Sequence, residues 1–194
     1  MGEGILMTQI RWTVRDLDLF PDPLDDTRYE IIGGELHVSH QPHWRHQMTV
    51  TRLIGSVQGW SARSGTGYVL DAPGVIFSEA DAVAPDLVWV AAARFAQVAA
   101  DDGKLYLAPD LVVEVLSPGS RNEDRDRQLK LDVYSRYGVK EYWIVDWQER
   151  SLQIFRRDNA HLTAAVTLGV GDTVTSPMLD GFDLPLRELF APPL

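Results

Sequence analysis

A chain of 194 residues with 45% apolar residues has enough hydrophobic material for one domain with a full core. It has no cysteine, which excludes disulfides, thiolate metal sites and cysteine nucleophiles and accords with a cytoplasmic location; no stretch approaches the roughly 18 apolar residues of a membrane span, so no membrane association is expected. The net charge of −10 counts against a general nucleic-acid binder, although residues 121–140 carry six basic against four acidic side chains.

In chain order, residues 1–15 read as an N-terminal leader and 16–194 as a single domain, since no internal stretch has the composition of a linker. Trp12 to Leu24 contains a Pro21-Asp22-Pro23 breaker and predicts a short helix at most. Arg28 to Ser39, RYEIIGGELHVS, predicts a hairpin around Gly33-Gly34, a pair suited to positive φ. Pro42 to Arg63 predicts a long helix, because Val50, Leu53, Val57 and Trp60 recur at helical spacing and His46 extends that face. Tyr68 to Phe77 and Val83 to Val90 predict two strands joined by the acidic turn Ser78-Glu79-Ala80-Asp81. Residues 91–109 predict a short helix or loop with a turn at Asp101-Asp102-Gly103.

Residues 110–146 form the centre of the chain. Leu111 to Ser117 predicts a buried strand, Pro118-Gly119 ends it, and Ser120 with Glu123 makes a capping box for a helix that Gly138 closes. Tyr142 to Val145 predicts a second strand. Strand, helix and strand of these lengths make a right-handed crossover with parallel strands. Beyond it, a turn at Asp146 to Arg150 leads into Leu152 to Arg156. Thr163 to Leu168 and Thr173 to Thr175 read as peripheral strands, and Leu184 to Phe190 as a last helical turn.

Three residues are in chemically odd company. Glu114 shares a strand face with Val112 and Leu116, where a carboxylate is costly unless paired or bound to a cation. Lys130 falls within an apolar helix arc of Leu129, Val133, Tyr134 and Tyr137, so its ammonium is aimed at the sheet. Asp86 stands immediately before a buried strand. If the two strands are neighbours, Asp86 and Glu114 face one point, and the oxygen ligands suit Mg²⁺ or Mn²⁺. Each residue also has an ordinary reading. Asp86 caps a turn, Glu114 pairs with an arginine, Lys130 snorkels along the helix flank and His46 makes one hydrogen bond at the core edge.

The segments RYEIIGGEL, APDLVWV, DLVVEVLSPGSR, KLDVYSRYGVKEYWIVD and SPMLDGFDLPLRELF resemble the Uma-two family of restriction endonucleases within the PD-(D/E)XK superfamily. The resemblance implies an α/β fold, restriction-endonuclease-like, with a mixed central sheet flanked by helices and an N-terminal β-hairpin. It matches Asp86 to the PD aspartate and Glu114 to the acidic residue of (D/E)XK. Leu116 occupies the usual lysine position, and Lys130 of the following helix matches the displaced lysine. Glu30 matches the family's YE motif, His46 a histidine of the first long helix, and Glu35 a turn residue.

The resulting expectation is a Mg²⁺- or Mn²⁺-dependent nuclease acting on DNA. Asp86 and Glu114 bind the metal, Lys130, Glu30 and His46 assist, and Arg121, Arg125 and Arg127 contact phosphates; a homodimer fits double-strand cleavage. The alternative is a catalytically inactive nucleic-acid- or protein-binding module on the same fold. A glycosidase using Glu30 with Glu35, or Asp86 with Glu114, lacks any sign of a sugar cleft.

Overall fold

The computed structural model describes residues 10–20, 27–119 and 123–192. The short helix expected after Trp12 is a 3₁₀ helix, Val14–Leu19. Trp12 and Val14 donate their backbone N–H groups to Gly34 and Glu79, which ties this stretch to two hairpin turns.

The first hairpin forms as expected from β1 (Arg28–Ile32) and β2 (Glu35–Ser39). Gly33 and Gly34 take φ of 60° and 79°, the left-handed pair that a two-residue hairpin loop requires. The long helix α1 (Trp44–Ser64) follows and ends at Gly65, again at positive φ.

The two strands expected between residues 68 and 90 are four. β3 (Gly67–Asp71) stops at Ala72, which adopts φ 44° before Pro73-Gly74, and β4 (Val75–Ser78) and β5 (Asp81–Val83) form a separate hairpin. Ala84-Pro85-Asp86 then breaks the return run before β6 (Leu87–Ala91), since proline cannot donate to a ladder. β4 and β5 join the first hairpin in a four-stranded sheet of order β2-β1-β5-β4, while β3 pairs with β6 in the central sheet.

After α2 (Ala92–Val98) come β7 (Leu111–Val115), a π turn (Arg125–Leu129) running into α3 (Lys130–Tyr137), and β8 (Glu141–Asp146). β7 and β8 are parallel, as the crossover pattern requires. Gly138 closes α3 at φ 96°. Ser120, of the expected capping box, lies outside the described residues. β9 (Ser151–Asp158) and β10 (His161–Leu168) complete a mixed six-stranded sheet of order β10-β9-β8-β7-β6-β3. β11 (Thr173–Ser176) pairs with β12 (Leu179–Pro185), a strand absent from the sequence reading, and α4 (Leu186–Leu189) follows. Among the described residues no helix is long and apolar enough to cross a membrane.

The central sheet separates two cores. Leu111, Val113, Val115, Trp143 and Val145 pack with Val50, Leu53, Val57 and Trp60 of α1. Val112, Leu116, Tyr142 and Ile144 pack with Val133 and Tyr134 of α3 on the other side. The period-2 alternation of β7 therefore sends Glu114 to the α3 face. Leu129, expected in the buried arc, is 41% exposed, because the π turn widens the helix and rotates residues ahead of Lys130 out of the 3.6-residue register.

α1 is locked to β3 and β6 through one small contact. Ser61 Oγ donates to the Gly67 carbonyl, Trp89 Nε1–H donates to Ser61 Oγ, and the Trp89 ring fills the space where a Cβ on Gly67 would stand. Gly67→Ala is expected to cost about 1–3 kcal/mol by overpacking. A chemical-denaturation midpoint equal to that of the parent would contradict this packing.

Candidate active site at the end of the central sheet

β6 and β7 are antiparallel neighbours with Leu87 opposite Val113, so Asp86, one residue earlier, comes beside Glu114, one residue later. Asp86 is held on every side. Its Oδ2 accepts the Val115 N–H at 2.9 Å and lies 3.2 Å from His46 Nε2, and its Oδ1 accepts Arg28 Nη1–H at 2.8 Å. His46 arrives from the first turn of α1. Its Nδ1 is buried without a hydrogen-bond partner.

Lys130 reaches the same place from α3. The helix-face argument expected its ammonium to point at the sheet, and it does: the residue is 1% exposed. Nζ donates to Glu114 Oε1 and lies equally close, 2.9 Å, to Glu30 Oε1; Asp126 Oδ1 is 3.6 Å away. Glu114 Oε1 also accepts the Tyr134 hydroxyl at 2.7 Å, and Glu30 Oε1 accepts the Ala84 N–H at 2.9 Å. Asp86, Glu114, Glu30, Asp126, His46 and Lys130 border a cavity of about 30 Å³, roughly the space of one water molecule.

The π turn builds one wall. Lys130 N–H donates to the Arg125 carbonyl, and this five-residue step brings Arg125, Asp126 and Lys130 onto one face. Arg125, expected as a phosphate contact, is buried, with Nε 3.1 Å from Asp126 Oδ1 and 3.8 Å from Glu30 Oε2. Arg127 turns outward to Gln153 Oε1 at 2.7 Å and Asp146 Oδ2 at 3.2 Å. Arg121 lies outside the described residues, and Glu35 is exposed at the start of β2, away from this cavity's wall.

Arg28, Asp126 and Tyr134 were not singled out as site residues from the sequence. Each left a signal. Arg28 precedes Glu30 by two on one strand, and Asp126 and Tyr134 flank Lys130 by four on one helix.

Burial opposes the Asp86 anion, but His46, the Arg28 guanidinium and the Val115 N–H outweigh it and hold this carboxyl well below the usual range. Glu30 is likewise lowered, with Lys130 and Arg125 overcoming burial. Glu114 goes the other way. Burial, aided by Asp126, Asp86 and Glu30 and opposed by Lys130, raises it to about 8. Burial also raises Asp126. Lys130 is raised, since the surrounding carboxylates outweigh its own burial. Four carboxyls thus face the permanent cations Arg28, Arg125 and Lys130, and with Glu114 holding a proton below about 8 the fixed charges are close to balance. Among the described residues no three acidic or histidine side chains form a ready-made metal cage.

A family profile described as "Uma2: Putative restriction endonuclease" matches residues 15–187. No curated protein matches. The crystal structure of "a putative nuclease belonging to DUF820" from Anabaena variabilis is similar with a TM-score of 0.74 at 15% identity, over 92% of this chain and 97% of that one, and shows the shared fold. The type IIG restriction endonuclease BpuSI gives a TM-score of 0.45 at 14% identity, covering 78% of this chain and 17% of that protein. With nearly its whole length matched, this chain belongs to the Uma2 family of restriction-endonuclease-type proteins.

Proposed function

We propose that the protein is a divalent-cation-dependent endonuclease that hydrolyses DNA phosphodiester bonds. One observation carries the reading. Asp86 and Glu114, from adjacent strands, and the Lys130 ammonium, from the next helix, meet at one buried cavity. Mg²⁺ or Mn²⁺ fits the donor set, because a hard cation takes one or two carboxylates plus waters and substrate phosphate, and this pocket offers the carboxyl oxygens of Asp86 and Glu114. Asp86 and Glu114 would hold the ion. Such a cation would polarise the phosphoryl group and lower the pKa of a bound water.

The rest is done by the chain. Arg28, His46 and the Val115 N–H keep Asp86 ionised and oriented. Tyr134 and Lys130 fix Glu114. Lys130 remains an ammonium, placed to stabilise charge building on the phosphate or to orient the attacking water, and Glu30 and Asp126 keep it there. We take residues 16–194 as the single catalytic domain and a cytoplasmic homodimer as the working form.

A second reading, an inactive binding module, draws on the same geometry. Glu114 is raised to about 8 and its Oε1 already accepts two donors, Lys130 and Tyr134. The two readings separate on a plasmid-nicking assay. Cleavage is expected with Mg²⁺ or Mn²⁺, none with EDTA, and a loss of about 100- to 1,000-fold in Asp86→Asn with circular dichroism unchanged. Lys130→Met should lose as much; because it strands buried carboxylates, its fold is checked separately. Wild-type rates in Asp86→Asn would remove this site from the reaction.

Glu114 also sets a pH dependence. Its carboxyl titrates near 8 when folded against 4.5 for the free group. Between those values the native chain holds a proton that the unfolded chain has lost, so stability falls as pH rises through the window and levels off above it. Asp86 and Glu30, both lowered, lose their contribution only in more acid solution. Glu114→Gln in EDTA should therefore give a flatter plot of Tm against pH from about 5 to 8 than the parent. Parallel curves would mean that Glu114 carries no such proton.

A further inference from the structure

We propose that the groove beside this cavity is a docking surface for an unpaired DNA strand, with Trp44 as the base-stacking platform and Arg45 and Arg150 as phosphate contacts. The inference rests on the nuclease reading and names the form of DNA that reading leaves open.

The groove has a volume of about 350 Å³ and lies where α1, α4 and the β8–β9 turn meet. Arg45, Arg52, Arg150, Met48, Trp147 and Phe190 contribute to its walls, and none of its described lining residues is acidic. On a chain of net charge −10, three arginines with no carboxylate among the described lining residues mark a place for a polyanion. Arg52 donates from Nη1 to the carbonyls of Leu189 and Ala191 at 2.9 and 2.6 Å. Both of these partners are neutral carbonyls.

Next to the arginines stands a pile of rings. His43 stacks on Trp147 with centroids 5.1 Å apart and planes 14° from parallel. The Arg45 guanidinium lies 5.9 Å from the Trp147 ring and 5.1 Å from that of Trp44. Trp147 is anchored by donating Nε1–H to the Leu116 carbonyl at 3.1 Å, while Trp44 is left 52% exposed. Exposed indole and guanidinium faces beside a basic groove are the elements of single-strand binding, where bases stack without sequence readout. A duplex keeps its base faces covered by neighbouring pairs, so this surface favours unpaired nucleotides.

The surface lies near the candidate active site, although the two share no described lining residue. The Leu116 carbonyl that anchors Trp147 is two residues past Glu114, and His43 precedes His46 by about one turn of α1. A strand stacked on Trp44 therefore binds at the same end of α1 as His46 of the acidic cavity.

The test measures binding of a fluorescent oligonucleotide of about 12 nucleotides to the full chain in EDTA, single-stranded and annealed to its complement. The single strand should bind at least tenfold more tightly. Trp44→Ala should weaken that binding by about tenfold, the size expected for one lost stacked base, and Arg45→Ala and Arg150→Ala should each lower the salt slope by about 0.7. Tyr68→Ala, an exposed aromatic on edge strand β3, serves as the control and should bind as the parent does. Unchanged binding in Trp44→Ala and Arg150→Ala, tighter binding of the duplex, or a dimer made monomeric by Trp44→Ala would each overturn the proposal; the last would assign the surface to a second copy of the chain. Trp44-dependent binding by a parent that cleaves nothing supports the docking surface while removing the nuclease reading. Cleavage by a parent whose strand binding ignores Trp44 does the reverse.

Discussion

The buried ammonium of Lys130 is the constraint around which this end of the molecule is arranged. An isolated charge at 1% exposure is untenable, and it is held here by Glu30 and Glu114 at 2.9 Å with Asp126 behind them. Removing one side of such an arrangement strands the other and costs on the order of 3–5 kcal/mol. That magnitude explains why three separate elements must keep their positions together: β1 carrying Glu30, β7 carrying Glu114 and the π turn carrying Asp126. Tyr134 and the Ala84 N–H take further acceptor capacity on the two glutamates, so the polar cluster is tied into both sheets rather than enclosed by them.

The excursion of the chain between β3 and β6 acquires its purpose in this setting. The β4–β5 hairpin leaves the central sheet, pairs with β1 and returns through Ala84-Pro85-Asp86. In doing so it presents the Ala84 N–H to Glu30 and delivers Asp86 beside Glu114 within three residues. A continuous strand from Val83 to Val90 would have kept both groups within one ladder. The break at Pro85 frees one amide and one carboxyl to meet residues from the other sheet. Arg28 then bridges back, since it sits two residues from Glu30 on the same strand face and reaches Asp86.

Some of this was readable from residue order alone, for identifiable reasons. Glu114 and Lys130 stood out because strand and helix periodicity define a face, and a charge on an apolar face is visible without coordinates of any kind. The Gly33-Gly34 hairpin and the Gly138 stop were visible because glycine is the residue that takes positive φ without penalty. The π turn was not visible. It depends on tertiary bonds such as Tyr142 hydroxyl to the Asp126 carbonyl, and ideal 3.6-residue geometry consequently placed Leu129 inside. The division of residues 68–90 into four strands was hidden too, because Ala72 at φ 44° is an uncommon conformation that no local rule assigns to alanine. β12 escaped because Gly181 and a shifted register interrupt the alternation of its apolar residues.

The departure from the usual motif has a geometric resolution. The position two residues after Glu114 belongs to Leu116, which is buried with Val112, Val133 and Tyr134 on the same face. A lysine there would have to place its charge among these apolar groups. Coming from α3, the ammonium instead enters between two carboxylates, 2.9 Å from Glu30 and 2.9 Å from Glu114. Phosphoryl chemistry of the proposed kind needs a positive group at a defined place beside the acids, whatever its position along the chain. The widened turn that brings Arg125, Asp126 and Lys130 to one face is thus the structural counterpart of moving the lysine, since an ordinary helical turn would have directed Arg125 away and left Glu30 with one cation fewer.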